Sequence, residues 1–346
     1  MEQRGALPPQ VAAPLGKTPR SSTPPRVSDS RGDIVDLIDR IDTGTIHVRA
    51  PSPLIFLCGG QTDIKNSKPI SLREAFTRIY TNPGLRSYHT IMPEDFRIFP
   101  PHGQYKDILS FETEFAEIVD LVVLFSESNG SFTELGAFSM IKEIADRLLV
   151  VIDDENYNAD SFIRLGPLLF LQNSIGQSSV CVVNRNDLNI KSIKDVGDLN
   201  IGVFESRIVA AINARRSEVK EPTTFNPERP GHIIKLIVGL IQHYGALTIE
   251  EIEALVADFD VKLKHGKLAD YLLCAINAEW ILKDRRGFVD YYCAIPNKAD
   301  AIEYKLRKAK EVEPRERWRA QISEFWKAND DARFSVIQAA FKDALK

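Results

Sequence analysis

Leu121-Val122-Val123-Leu124-Phe125-Ser126-Glu127-Ser128-Asn129-Gly130-Ser131-Phe132-Thr133-Glu134-Leu135-Gly136 runs from an apolar stretch through a polar turn into a helical pattern. Five apolar residues without alternation fit a strand covered on both faces, as in a parallel sheet. The turn then leaves the carboxyl end of that strand, where open α/β sheets bind their ligands. The helix is expected from about residue 132, with Glu134 in its first turn. Ser131 and Glu134 have the spacing of a capping box, which by itself only satisfies backbone donors. Glu134 also shares a helical face with Phe138 and Ile141, so its carboxylate is expected to point inward over the sheet edge. A helix N-terminus favours the ionised carboxylate that a nucleophile requires.

Outward from this stretch the chain alternates strand-like and helix-like segments. Leu54–Cys58 reads as a first strand ending in Gly59-Gly60, Ser71–Tyr80 as a helix, Phe96–Phe99 as a second strand and Tyr105–Val119 as a helix. Beyond the central strand come a helix to about 146, a strand at Leu148–Ile152, a helix near 161–172 and a strand at Val180–Val183. This order predicts an α/β fold with a doubly wound, mostly parallel sheet.

Residues 1–32 are rich in Pro, Ala, Ser and Arg and are expected to be disordered, because they cannot bury enough apolar surface to offset chain entropy. Ile34, Leu37, Ile38 and Ile41 recur at helical spacing. The α/β unit is placed at 33–204, and a helix with a proline-rich linker at 205–230. Helices at 233–244, from Thr248 and at 262–277 follow, and then a hairpin around Lys283-Asp284-Arg285-Arg286-Gly287. That sequence of elements describes a winged helix-turn-helix over 231–298. Thr248 and Glu251 mark the second helix with a capping box. Residues 299–346, with Trp318, Ile322, Phe325 and Trp326, predict a closing helical pair.

The net charge of −4 conceals a split: residues 1–204 hold 20 Lys/Arg against 26 Asp/Glu, and residues 205–346 hold 24 against 22. The second half tolerates a polyanion without being basic enough for strong nonspecific DNA binding. The four cysteines are far apart and have no histidines at metal-ligand spacing, so neither a zinc site nor a disulfide framework is expected. No metal or cofactor is expected. No apolar run reaches the roughly 18 residues that span a bilayer, and the N-terminus lacks a hydrophobic signal core. A cytoplasmic protein with no membrane association is expected.

Glu112 passes the same facing test as Glu134. Asp107, Ser110, Glu114 and Glu117 mark a polar face of the helix at 105–119, whereas Glu112 falls with Ile108, Phe115 and Val119 on the apolar one. Charged groups seldom lie there without a partner or a task. Two inward carboxylates at one sheet edge suit chemistry at an anomeric carbon, one attacking and the other orienting hydroxyls or handling a proton.

The run Ile55–Gly60, Glu112 eight positions before Asp120, and Ser128-x-Gly130-x-x-x-Glu134-x-Gly136 resemble the nucleoside 2-deoxyribosyltransferase family over roughly residues 50–185. The resemblance implies that Glu134 is the nucleophile forming a ribosyl-enzyme intermediate. Glu112 is expected to act with Glu134, and Gly59, Gly60, Gln61, Ser128, Asn129 and Gly130 to line the substrate site, while Arg97 is a loop-edge candidate able to meet a phosphate. Ser128 stands where those enzymes usually carry an aspartate, which shifts the expectation from transfer between bases to hydrolysis. Such a domain followed by a winged helix is similar to the effectors of bacterial retron defence systems. That similarity implies a toxic N-glycosidase acting on a nucleotide such as NAD. It further implies control by a retron reverse transcriptase and its RNA–DNA product (msDNA), within a homo-oligomer or filament. In the second half, Lys262, Lys264 and Lys267 near the third helix and Lys283, Arg285 and Arg286 in the hairpin are placed to meet phosphates or a protein partner. Two other readings compete: a nucleotide-sensing, DNA-binding regulator without turnover, and a purely structural subunit of a nucleoprotein assembly.

Overall fold

The computed structural model describes residues 40–63, 65–79, 81–99, 103–219, 223–307 and 315–344. The protein is mixed α/β. Strands β2 (Leu54–Cys58), β3 (His89–Ile91), β4 (Leu121–Phe125), β5 (Leu148–Asp153) and β6 (Val180–Val183) form one sheet in the order β3-β2-β4-β5-β6. Every neighbouring pair in it is parallel. The apolar runs are filled from both sides: Phe56, Cys58, Val122, Leu124, Val150 and Ile152 face one core, and Ile55, Leu57, Val123, Phe125, Leu149 and Val151 face the other. All five residues of β4 are 0% exposed, which is why its sequence shows no alternation.

Several boundaries differ from the sequence reading. Residues 96–99 form no strand. Phe96 instead joins an aromatic cluster with Phe56, Phe111 and Phe115, at ring separations of 4.8–6.3 Å. The strand in that part of the sheet is His89–Ile91, a three-residue edge strand with no apolar run to announce it. Helix α1 spans Leu72–Arg78 and α2 spans Ile108–Ala116, the latter capped where Asp107 accepts from the Ser110 amide at 2.7 Å. Ile108, expected inside, is 50% exposed, whereas Glu117, expected on the polar face, is buried and paired with Arg229 at 3.0 Å. Helix α3 spans Asn129–Met140 and starts earlier than expected. After the short helices α4 (Lys142–Ala145) and α5 (Asp154–Asn158), a π-helical turn at Arg164–Leu168, with Pro167 inside it, runs into α6 (Leu169–Ser174).

Helix α7 (Ile201–Glu218) covers the second face of the sheet through Phe204, Ile208 and Ile212. Ile41 is not helical. It opens strand β1 (Ile41–Val48), while the other members of its stripe, like residues 1–32, lie outside the described residues. The described part of the proline-rich segment lies along β1, where the Val48 amide donates to the Thr223 carbonyl at 2.7 Å and that of Phe225 to Ile46 at 2.9 Å.

Helix α8 (Pro230–Tyr244) is buried from Gly231 to Tyr244, its polar His232, Lys235, Gln242 and His243 included. Around it lie β7 (Ala246–Leu247), α9 (Ile249–Ala257), α10 (Lys267–Asn277), the hairpin β8 (Ile281–Arg286) and β9 (Val289–Ala294), and β10 (Ile302–Leu306) paired with β1. The Thr248–Glu251 capping box is present. Helix α10 begins at Lys267, after Gly266 with φ +79°, so Lys262 and Lys264 precede it in a loop. Helices α11 (Arg315–Asn329) and α12 (Asp331–Asp343) close the chain as a pair, with Trp318, Ile322 and Trp326 buried. One continuous core joins this half to the sheet, because Ile237, Trp280 and Trp326 belong to the cluster that contains Phe56 and Leu124.

Among the described residues no helix is long and apolar enough to cross a membrane, and no group of His, Cys, Asp and Glu could hold a metal ion. Cys58, Cys181, Cys274 and Cys293 are buried free thiols.

Candidate active site

Strands β2 and β4 pair from Ile55↔Leu121 to Cys58↔Leu124, so their carboxyl ends deliver Gly59-Gly60 and Ser126-Glu127-Ser128 to the same edge. Gly59 has φ +137°, and a Cβ there would lie 2.6 Å from the Phe125 carbonyl oxygen. The position therefore accepts only glycine. The Gly60 amide donates to Glu127 Oε1 at 3.2 Å. Glu127 also accepts from the Leu72 and Arg73 amides at 2.6 and 3.1 Å, so this buried carboxylate caps α1 across the sheet edge. Burial outweighs those three donors and pushes its pKa up to about 7.

Helix α3 begins differently from the expected Ser131–Glu134 box. Ser128 is the N-cap, accepting from the Ser131 amide at 3.2 Å, while Ser131 Oγ accepts from the Ser128 amide at 2.8 Å. Glu134 is thus in the second turn and takes no part in capping. It is half-buried, and its Oε2 is buried with no hydrogen-bond partner. Burial raises its pKa, opposed by the positive charge of Arg73 and reinforced by Glu94. Desolvation therefore dominates where the helix dipole had been expected to favour ionisation.

Glu112 is 4% exposed on α2. Burial first, then the charges of Glu134 and Glu94, push its pKa up to about 8. The two carboxylates share one site closely enough to feel each other's charge, and Glu112 holds a proton at neutral pH.

Arg73 and Glu94 complete the cluster, and the sequence reading missed both. Arg73, 1% exposed, donates from Nη1 and Nη2 to the two oxygens of Glu94, each at 2.6 Å, and from Nη1 to the Gly60 carbonyl at 3.1 Å. The hydrogen bond from Arg73 holds Glu94 below the usual carboxylate range. Arg73 Nε is buried without a partner. The facing test that found Glu112 would also have found Arg73, which lies beside Leu72 and Phe76 on the buried side of α1. No local rule would have found Glu94, whose role comes from a partner 21 residues away.

The other anticipated residues separate into two groups. Gly59, Gly60 and Ser128 lie at the edge with the carboxylates. Gln61, Asn129 and Gly130, next in the chain to those residues, are exposed, and the Gln61 carbonyl accepts from Ser71 Oγ at 2.7 Å; Arg97 is exposed in the loop after Phe96. In the second half Lys262 and Lys264 are exposed, but Lys267 is engaged by Glu114 at 2.6 Å and lies over the Tyr105 and Tyr271 rings. Lys283 pairs with Asp290 at 2.8 Å, Arg285 approaches the same carboxylate at 3.8 Å, and Arg286 pairs with Asp284 at 2.8 Å. Each hairpin cation thus has a carboxylate beside it, with Asp290 shared by two of them.

These features define an α/β protein with a parallel sheet whose carboxyl edge carries a buried and a half-buried carboxylate, Glu112 and Glu134, beside the buried Arg73. The profile of the STM3845 retron effector protein family matches residues 69–283, and the chain belongs to that family. It is similar to two Escherichia coli proteins, of retrons Ec86 and Ec73, each named "putative ribosyltransferase/DNA-binding protein". Identity to the first is 33% over 173 residues, covering 48% of this chain and 52% of that protein. Identity to the second is 24% over 214 residues, covering 58% and 65%. The chain thus spans about half the length of the first relative and under two thirds of the second.

Proposed function

We propose that this retron effector cleaves the N-glycosidic bond of a nucleotide, NAD foremost, with Glu134 as nucleophile and Glu112 as its protonated partner. The observation that carries the reading is the pair of carboxylates at the carboxyl edge of β2 and β4, Glu112 buried and Glu134 half-buried. Glu134 has an unused buried oxygen, and Glu112 has no hydrogen-bond or ion-pair partner among the described residues. Burying such groups costs several kcal/mol without a return in folding, which fits a task in binding or catalysis. The names of the relatives, which speak of ribosyl transfer, agree in reaction class.

Ionised Glu134 attacks C1′, the C1′–N bond breaks, and its electron pair leaves with the base. Water then attacks C1′ of the glycosyl ester, the bond from C1′ to the Glu134 oxygen breaks to restore the carboxylate, and the proton lost by the water passes to solvent. Nicotinamide departs from a pyridinium and needs no proton. The proton on Glu112 is then free to be donated to a ribose hydroxyl, which positions the sugar. Arg73 supplies the positive charge that offsets desolvation of Glu134. Gly59, Gly60, Gln61, Ser128, Asn129, Gly130 and Arg97 form the walls of the substrate site.

In this reading residues 33–204 are a nucleoside deoxyribosyltransferase-like catalytic domain. Residues 205–230 connect it to a winged helix-turn-helix at 231–298, and in 299–346 strand β10 precedes the helices α11 and α12 that close the chain. The order of α8, α9, α10 and the β8–β9 hairpin supports the winged helix. Exposed Lys262 and Lys264 are its free cations for the msDNA or the reverse transcriptase, and the effector works in the cytoplasm within an oligomeric nucleoprotein complex.

Chromatography of the purified chain incubated with NAD and with nucleosides tests the proposal. Release of free base supports it. Tight binding without release would replace it with the nucleotide-sensing regulator.

A further inference from the structure

A cavity of about 390 Å³ opens between the carboxyl end of α8, the turn after β9 and the helices α11 and α12. Its body is apolar, with Ile295, Pro296, Ile322, Ile337 and Phe341 in the lining. The polar side chains that α8 contributes are already engaged. Gln242 donates from Nε2 to the Ala299 carbonyl and accepts at Oε1 from the Ala301 amide, each at 2.8 Å. His243 donates from Nδ1 to the Gly239 carbonyl at 2.8 Å, which leaves Nε2 to accept from the Tyr304 hydroxyl at 2.8 Å. Burial pushes the pKa of that ring down to about 4, so it is neutral. The lining holds two cations, Lys298 and Arg319, and, among the described residues, no carboxylate. Lys298 has no ion-pair partner among the described residues. Arg319 shares the carboxylate of Asp300 with Arg315, which donates to it at 2.7 Å, and the Arg319 Nε is buried without a hydrogen bond. Two guanidinium groups are thus matched by one carboxylate, and Lys298 by none.

We infer that this cavity binds a small monocarboxylate with an apolar body, of the class of a medium-chain fatty acid, its chain among the apolar side chains and its carboxylate at Lys298 and Arg319. An apolar recess with a few placed polar groups is the usual form of a small-molecule site. Its volume, at about 30 Å³ for each water-sized group, accommodates about a dozen heavy atoms. The excess of cations names the charge of the head group, since a neutral ligand would leave Lys298 without a counter-charge. Charge-assisted hydrogen bonds from an ammonium and a guanidinium to one carboxylate are among the strong ones. A nucleic acid fits poorly, because it is held through a succession of phosphates and an apolar recess offers it nothing to bind. A ligand seated here touches α8, α11 and α12 together, and so ties the closing helical pair to the buried helix. The inference concerns a site distinct from the carboxyl edge of the sheet and does not depend on the glycosidase chemistry.

Equilibrium dialysis of the full chain against radiolabelled decanoate tests it without any activity measurement. Saturable binding of one molecule per chain is expected, and decanoate should raise the thermal midpoint, as a ligand of the folded state does. Unlabelled decanol, which has the same chain without the charge, should compete at least tenfold less well than decanoate. Lys298→Gln should weaken binding about tenfold with an unchanged thermal midpoint of the free chain, because the ammonium has no ion pair to lose. Ala320→Trp, which places a large side chain in the lining from an exposed position on α11, should abolish binding. Phe162→Glu, at an 83% exposed position after α5, should leave the affinity unchanged and so excludes adventitious binding to that other apolar face. The assignment is overturned by any of four results: no saturable binding, equal competition by decanol, wild-type affinity in either Lys298→Gln or Ala320→Trp, or loss of affinity in Phe162→Glu.

Discussion

The carboxyl edge of the sheet has two ends that draw on the same residue types for opposite purposes. Over β5 and β6, beside a cavity of about 780 Å³ lined by Asp154, Glu155 and Arg185, the acids are satisfied. Asp153, 0% exposed, pairs with Arg185 at 2.7 Å and caps α5, while Asp154 accepts from the Asn184 side chain at 2.7 Å. Over β2 and β4, Glu112 is buried and Glu134 half-buried with its Oε2 left without a hydrogen bond, and burial raises both pKa values. A large opening is thus a poorer guide to chemistry than an unmet carboxylate. Where charge is neutralised locally, burial contributes to architecture; where it is not, the fold carries a cost that binding or catalysis explains.

Four substitutions test this contrast. Glu134→Gln should reduce base release at least about a thousandfold, as loss of a nucleophile does, with a thermal midpoint no lower than wild type. Residual turnover within tenfold of wild type would move the chemistry elsewhere. Asp153→Asn should do the reverse: it breaks a buried ion pair at a cost of about 3 kcal/mol, read from urea unfolding, while turnover per folded molecule holds. Equal losses of activity in both variants would erase the distinction between the two ends.

The third test uses pH. Glu112 keeps its proton up to about pH 8 in the folded chain, against about 4.3 for an unfolded glutamate. Between those values the folded state binds a proton that the unfolded state lacks. Stability therefore falls as pH rises through this window, by up to about 1.4 kcal/mol per unit, and the loss is complete above the folded value. Glu112→Gln should remove this contribution from urea midpoints measured from pH 5 to 9, leaving the slope due to Glu117, Glu127 and Glu134, whose pKa values burial also raises. A variant with the wild-type slope would show that Glu112 titrates normally. The smallest effect is expected from Ser128→Ala, which removes the cap of α3 at a cost of about 1 kcal/mol. If Ser128 contacts substrate as well as capping the helix, that variant will also raise KM.

The parts of the fold that were legible in the sequence share a physical origin. Strands β2, β4 and β5 are buried on both faces, so their apolar runs announce them, and Glu112 stood out because its helical face is otherwise apolar. The misreadings share another. Strand β3 is too short and too polar to show a period, and Phe96 was drawn from a supposed strand into an aromatic cluster. Helix α3 was started too late because Ser128 and Ser131 cap each other, leaving Glu134 without the structural duty its spacing implied. That shift matters for the site, since a carboxylate not needed for capping requires another explanation. Glu127 and Arg73 act across 54 residues of chain, through contacts that only the folded sheet edge creates.

The most direct test of the central claim is to trap the intermediate. An NAD analogue carrying fluorine at C2′ of the nicotinamide ribose slows loss of the sugar from a glycosyl ester, so the adduct can be located by mass spectrometry of peptides. The added mass is predicted on the peptide that contains Glu134, and to be absent from Glu134→Gln. Cleavage of NAD with no adduct at Glu134, or with the sugar on another residue, would contradict the assignment.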